Sequence, residues 1–100
     1  IRETKNYLYE TLCNEIINKK MIPILTRIKS HSLEKFGEMM RHSGEELFFV
    51  LEGTVELITE HYASVKLEQG DCAYFDSSMG HACISTEEKD AVIFWVSTPN

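Results

Sequence analysis

His42 and Glu46 stand four residues apart in the run Met40-Arg41-His42-Ser43-Gly44-Glu45-Glu46, and His81 follows a loop of small residues much later in the chain. Imidazole and carboxylate are metal-ligating groups. Two imidazoles and one carboxylate converging inside a barrel would make the facial set used for iron, manganese or zinc, with positions left open for water or substrate. A spacing of four suits one face of a helix. Here Gly44 interrupts it and the aromatic, apolar run Leu47-Phe48-Phe49-Val50-Leu51 follows, bounded by Gly53, so extended backbone is expected instead. On extended backbone, even spacing puts Met40, His42 and, if the turn at Gly44 keeps parity, Glu46 on one face. The plainer reading is that His42 is a hydrogen-bonded turn residue and that Glu46 pairs with Arg41 or caps backbone amides. His31 and His61 fall in expected loop tips and are read as solvent-exposed.

The elements that must position these groups read as strands. The unbroken apolar character of Leu47–Leu51 implies that both of its faces are covered. Ile22, Ile24 and Ile28 alternate in a β-branched strand, and Pro23, which cannot donate a ladder hydrogen bond, implies that this strand lies at a sheet edge or begins there. Further strands are expected over Phe36–Arg41, Thr54–Thr59, Val65–Leu67, Cys72–Phe75, His81–Ser85 and Ala91–Ser97. Turns fall at Glu52-Gly53, Glu60–Tyr62, Glu68–Asp71, Asp76–Gly80 and the acidic stretch Thr86–Asp90. About eight short strands at spacings near ten residues are the pattern of an all-β antiparallel sandwich or barrel. Residues 1–20 fit a strand or a short helix equally well and are taken as an N-terminal extension packing on the barrel of residues 21–100.

One hundred residues make one domain, and a composition of 43% hydrophobic and 26% charged residues is that of an ordinary globular protein. The net charge of −6 lacks the basic footprint that direct nucleic-acid binding requires. No apolar run is long enough to span a bilayer and the N-terminus carries no signal-peptide block, so a cytoplasmic protein without a membrane partner is expected. Cys13, Cys72 and Cys83 are odd in number and lack metal-knuckle spacing; they read as free thiols, each serving as a small buried hydrophobe. The chain opens on Ile1, which fits a fragment with residues missing upstream. Phe48, Val50, Tyr74, Cys83, Ile93 and Trp95 are candidates to line the barrel interior, although core burial alone accounts for such residues. Ala91, Ile93 and Trp95 share one face of the last strand and Val92, Phe94 and Val96 the other; the pattern leaves open which is inward.

The segments His42–Gly53, Leu67–Asp71 and Asp76–His81 together resemble the two motifs of the cupin superfamily. The first motif runs His-x-His, three residues, Glu, six residues, Gly. The second His falls on His42, the Glu on Glu46 and the Gly on Gly53, while Met40 occupies the first His position. The second motif runs from Gly70 to His81, with its usual Pro and inner Gly replaced by Asp76 and Ser78 and its terminal Asn by Ser85. The resemblance covers roughly residues 21–98 and implies a double-stranded β-helix, an antiparallel jelly-roll barrel. The wording of the motifs is most similar to the small cupin domain at the C-terminus of XRE-type helix-turn-helix transcription regulators.

That resemblance implies a sensor domain that binds a small-molecule effector at Met40, His42, Glu46, Phe48, Tyr74, His81, Cys83 and Trp95. DNA would be reached only through an upstream helix-turn-helix domain, and the barrel would act as a homodimer. One divalent ion (Zn, Fe, Mn or Ni) on His42, Glu46 and His81 is the implied cofactor. With Met40 in place of an imidazole the set is two His and one carboxylate, and a thioether there would suit a soft ion such as Cu(I). The competing reading is a metal-dependent isomerase, lyase or dioxygenase. No catalytic group stands out beyond the metal ligands, so a non-enzyme is expected; Tyr74 and Asp76 are the candidates should their side chains point inward. A third reading is a dimerisation module pairing through the strand around Ile22–Ile28.

Overall fold

The computed structural model describes residues 1–99. Its strands are β1 (Arg2–Glu3), β2 (Tyr7–Thr11), β3 (Ile22–Ile28), β4 (Glu45–Glu52), β5 (Val55–Thr59), β6 (Val65–Leu67), β7 (Cys72–Asp76), β8 (His81–Ser85) and β9 (Ala91–Ser97), with one helical turn, α1 (Leu33–Phe36), between β3 and β4. A six-stranded sheet runs β1-β2-β3-β9-β4-β7 and a three-stranded sheet runs β6-β5-β8. Every pairing is antiparallel. The two sheets enclose a core of Ile28, Phe48, Val50, Val55, Ala91 and Ile93, each 0–1% exposed, with Phe36 at one end. This is the all-β jelly-roll barrel expected from the strand rhythm. Ser85 joins the layers: its buried hydroxyl donates to the Ile28 carbonyl (2.8 Å) and accepts from the Ala91 N–H (2.9 Å).

Residues 1–20 resolve as strand rather than helix where they are regular, and β2 completes the large sheet by pairing along β3 from Tyr7↔Ile28 to Thr11↔Ile24. Of the two places expected for Pro23, the sheet edge is wrong, since β3 lies between β2 and β9, and the strand start is the one found, since β3 begins at Ile22. Pro23 is tolerated because its carbonyl accepts the Leu12 N–H (3.0 Å), which turns its own nitrogen toward the end of the β2 ladder, where no donor is required. The strand expected over Phe36–Arg41 is also corrected. Ser32 caps α1 through its side chain (Lys35 N–H to Oγ, 3.1 Å), and Gly37 at φ 88° ends the turn. Only Met40 then pairs, in a single antiparallel bridge with His81.

The apolar run of β4 is not covered on both faces. Glu46, Phe48 and Val50 point inward, whereas Leu47, Phe49 and Leu51 are 37–40% exposed. Among the described residues no further layer lies over the outer face of the large sheet. The register lines up Pro23, Val96, Leu47 and Tyr74 across that face, and beside them Leu25, Phe94, Phe49 and Cys72. The inward face of β9 is the one carrying Ala91, Ile93 and Trp95. Of the cysteines, all free, only Cys83 is buried; Cys13 and Cys72 are exposed, against expectation. Cys13 lies in the loop after β2, and Cys72 alternates with the inward Ala73 on β7.

Candidate metal centre and cavity

Glu46 is the first inward position of β4 and is 5% exposed. Its place depends on Gly44, where φ is 101° and an added Cβ would sit 1.9 Å from the Thr98 carbonyl oxygen; no side chain fits that turn. The preceding loop is laced to the β7–β8 connection by the His42 N–H to the Ser77 carbonyl (3.0 Å) and the Ser77 N–H to the Gly44 carbonyl (3.0 Å). His81 opens β8 and exchanges both backbone hydrogen bonds with Met40 (2.9 and 3.0 Å). Two residues paired in this way carry their side chains on the same face. Met40 thus stands beside His81, half exposed, at the wall of the same cavity.

The donor atoms of His42, Glu46 and His81 all lie within 4.8 Å of one another. His42 Nε2 is 3.1 Å and His81 Nε2 4.0 Å from the same Glu46 oxygen, Oε1. The imidazoles meet edge to face at 5.3 Å. His81 Nδ1 is 2.9 Å from the Met79 carbonyl, and His42 Nδ1 is 3.3 Å from the Ser43 carbonyl. The Met79 carbonyl only accepts, so the Nδ1 of neutral His81 carries the proton and its Nε2 presents a lone pair. His42 Nε2 lies within hydrogen-bonding distance of the Glu46 carboxylate, so two imidazole nitrogens and a carboxylate oxygen converge in a donor set that a cation would complete. Ligands about 2.1 Å from a tetrahedral or octahedral ion sit roughly 3.0–3.4 Å apart. The His42–Glu46 separation matches, whereas the 4.0 Å from His81 to Glu46 and the span of up to 4.8 Å across the set require His81 to close in by about 1–2 Å on an ion. Burial raises the Glu46 carboxyl above its usual range, opposed by His42 beside it. Burial also lowers His81, which keeps its imidazole neutral at pH 7 and ready to ligate.

An ion pair that sequence reasoning missed holds the arrangement. Arg41 clasps Glu60 with both guanidinium nitrogens (2.5 and 2.6 Å), and Glu60 also accepts from the Gly80 N–H (3.1 Å). Arg41 precedes His42 and Gly80 precedes His81, so one carboxylate braces both ligand-bearing segments. Glu60 is accordingly pushed down to about 2, chiefly by the Arg41 hydrogen bonds. The alternative pairing of Arg41 with Glu46 does not occur. His61 is 69% exposed, as expected of a loop tip, and His31 contacts Asp90 at 2.6 Å.

The triad opens into a cavity of about 420 Å³ whose wall is mostly carbon. Met40, Phe48, Cys83, Ile93 and Trp95 all line it, as the inward parity of their strands requires. Tyr74 does not. It is 63% exposed on the outer face of β7, where it borders a separate, larger and more open cleft under the β5–β6 hairpin. Asp76 borders that outer cleft too, so neither residue is placed to act beside the triad. Four lining residues unforeseen from the sequence, Thr4, Asn6, Tyr7 and Tyr9, come from the N-terminal segment. Tyr7 packs edge-on against Trp95 (5.4 Å) and Phe36 (5.8 Å). Their only sequence signal was the alternation of Tyr7 and Tyr9, which puts both rings on one strand face.

Comparison with known proteins decides the family, because the cupin-domain profile matches residues 32–97. The chain belongs to the cupin family. No curated protein sequence matches it significantly. Among solved structures the cupin barrel superimposes on Fe(II) HppE with a TM-score of 0.76 at 19% identity, covering 92% of this chain and 50% of the other. It is similar to the cupin domain of an XRE family transcriptional regulator from Enterobacter cloacae (TM-score 0.75, 14% identity, 93% and 96% covered). It also resembles a cupin 2 conserved barrel protein from Salinispora arenicola (0.76, 15%, 97% and 79%). The chain spans about half the length of the HppE chain it matches. These likenesses establish the barrel, and the Enterobacter domain shows that a barrel of this extent occurs within a regulator. Among the described residues no helix is long and apolar enough to cross a membrane.

Proposed function

We propose that this cupin is the ligand-sensing domain of a transcription regulator. It holds one divalent ion on His42, Glu46 and His81, and the ion anchors a small-molecule effector in the cavity. The observation that carries the reading is the convergence of two imidazole Nε2 atoms and a buried carboxylate oxygen, at the mouth of a cavity large enough for a ligand. Zn, Fe, Mn and Ni all accept such a set, and the HppE structures, of the same fold, contain Fe(II) or Co(II). DNA contact belongs to a helix-turn-helix domain outside this chain, since the −6 charge here repels phosphate. The effector works by binding one conformation of the barrel better than another and shifting the DNA-binding equilibrium by that difference. Copies pair through the outer sheet face, where Leu25, Leu47, Phe49, Phe94 and Val96 form a contiguous apolar surface.

The second reading, a metal-dependent isomerase, lyase or dioxygenase, is favoured by the open coordination positions that three ligands leave. A bound ion there would supply Lewis-acid activation of substrate or water. Against it, the titratable groups of the cavity apart from the triad are Tyr7, Tyr9 and Cys83, and burial pushes the Tyr7 hydroxyl and the Cys83 thiol up, which keeps both protonated. Metal analysis of purified protein and of His81→Ala, together with the coding sequence upstream of Ile1, tests the proposal. Stoichiometric metal lost in the variant, and a basic helix-turn-helix upstream, are the expected results. Metal-free protein, or an upstream catalytic domain, would overturn it.

A further inference from the structure

Most of the cavity wall is carbon, supplied chiefly by Tyr7, Phe48, Leu57, Phe75, Ile93 and Trp95. Its polar atoms besides the triad are few: those of Thr4, Asn6 and Ser97 and the hydroxyls of Tyr7 and Tyr9. The rings are arranged edge to face, Phe48 on Phe75 at 6.4 Å and Tyr7 on Trp95 at 5.4 Å, and Phe75 tilts against His81 at 4.9 Å. Such a wall presents both ring edges and ring faces, which favours a flat aromatic guest over a hydroxylated one. A volume of about 420 Å³ admits a molecule of one or two rings. The charge of the head follows by arithmetic. Two neutral imidazoles and one carboxylate around a divalent ion leave a net charge of +1, which one anionic group cancels.

We infer that the ligand of this barrel is an aryl monocarboxylate, its carboxylate on the triad-bound metal and its ring between Phe48, Phe75, Tyr7 and Trp95. The inference rests on the metal-binding reading above and names the ligand class of that same site. It also assigns selectivity in part to β2. Tyr7 and Tyr9 lie outside the family-matched residues 32–97, so this part of the wall belongs to the chain's own N-terminal segment. A second copy of the carboxylate chemistry in the outer cleft is not implied, because that cleft is open and contains no comparable donor set.

Trp95 is the chain's single tryptophan and reports on the cavity directly. Its fluorescence is to be titrated with benzoate, phenylacetate, acetate and phosphate in zinc-loaded protein and after zinc removal by a chelator. Benzoate is expected to bind about tenfold or more tighter than acetate, through its ring contacts, and only when zinc is present. Tyr9→Leu, at a partly exposed position, is expected to weaken benzoate several-fold while leaving zinc stoichiometry and acetate affinity unchanged. Zinc binding without preference for benzoate over acetate overturns this inference and leaves the metal centre standing. Equal benzoate binding with and without zinc overturns the assignment of the head group. Failure to bind zinc at all refutes the metal reading itself, so the two failures are separable.

Discussion

Replacing Glu46 by Gln keeps the shape of the side chain and removes the one anionic ligand, and its two consequences have opposite signs. In wild-type protein at a free metal concentration about a hundredfold above Kd, binding to the folded state adds about 2.7 kcal/mol of stability. For a domain of 60–100 residues each kcal/mol moves Tm by roughly 4–8 °C, so metal should raise Tm by about 11–22 °C. If losing the carboxylate weakens binding about a hundredfold, the same metal concentration adds only about 0.4 kcal/mol and a shift near 2 °C. Without metal the sign reverses. Burial raises the Glu46 carboxyl above its usual value, so the folded state binds that proton more readily than the unfolded chain does, and ionised Glu46 opposes folding once pH exceeds its folded value. At pH 8, metal-free Glu46→Gln should therefore melt at or above wild type. Differential scanning fluorimetry with zinc, cobalt and chelator reads all four states. Equal metal shifts in both proteins, or a metal-free variant several degrees less stable, would refute the reasoning.

Three further outcomes are expected from the same geometry. Gly44→Ala should unfold the protein or abolish metal binding, because its Cβ would lie 1.9 Å from the Thr98 oxygen at a φ of 101°; circular dichroism and metal stoichiometry read this. Thiol titration of native protein should release two equivalents, from the exposed Cys13 and Cys72, with Cys83 reacting only on denaturation, since burial holds its thiol protonated. Glu60, held at about 2 by Arg41, contributes stability that is present above the ordinary carboxylate range and lost as pH falls toward 2. In Glu60→Gln that part of the acid-induced loss should disappear from the Tm–pH profile.

The strand rhythm was legible because turn residues punctuate it: Gly53, Gly70 and the acidic Thr86–Asp90 stretch fall where strands end. His42, Glu46 and His81 were legible for a related reason, since even spacing on extended backbone survives the turn at Gly44 and His81 follows an obvious loop. What failed depended on partners distant in sequence. Whether β3 is an edge is decided by β2, whose pattern alone was ambiguous between strand and helix. The exposure of Leu47, Phe49 and Leu51 cannot be read from a continuous apolar run, because the run does not say whether another layer of the same chain lies over its outer face. Tyr74 was misplaced by composition, since its ring suited a cavity wall; its pairing opposite Leu47 settles that it faces outward. The Arg41–Glu60 clasp joins residues nineteen apart through a geometry no local pattern encodes.

A cation held between His42, Glu46 and His81 is the central element of the proposed site. Anomalous diffraction at the absorption edge of cobalt or zinc from metal-loaded crystals tests it most directly. A single peak about 2.0–2.2 Å from His42 Nε2, His81 Nε2 and a Glu46 carboxylate oxygen is the expected result. A peak at surface carboxylates, or no peak within reach of His81, would contradict it.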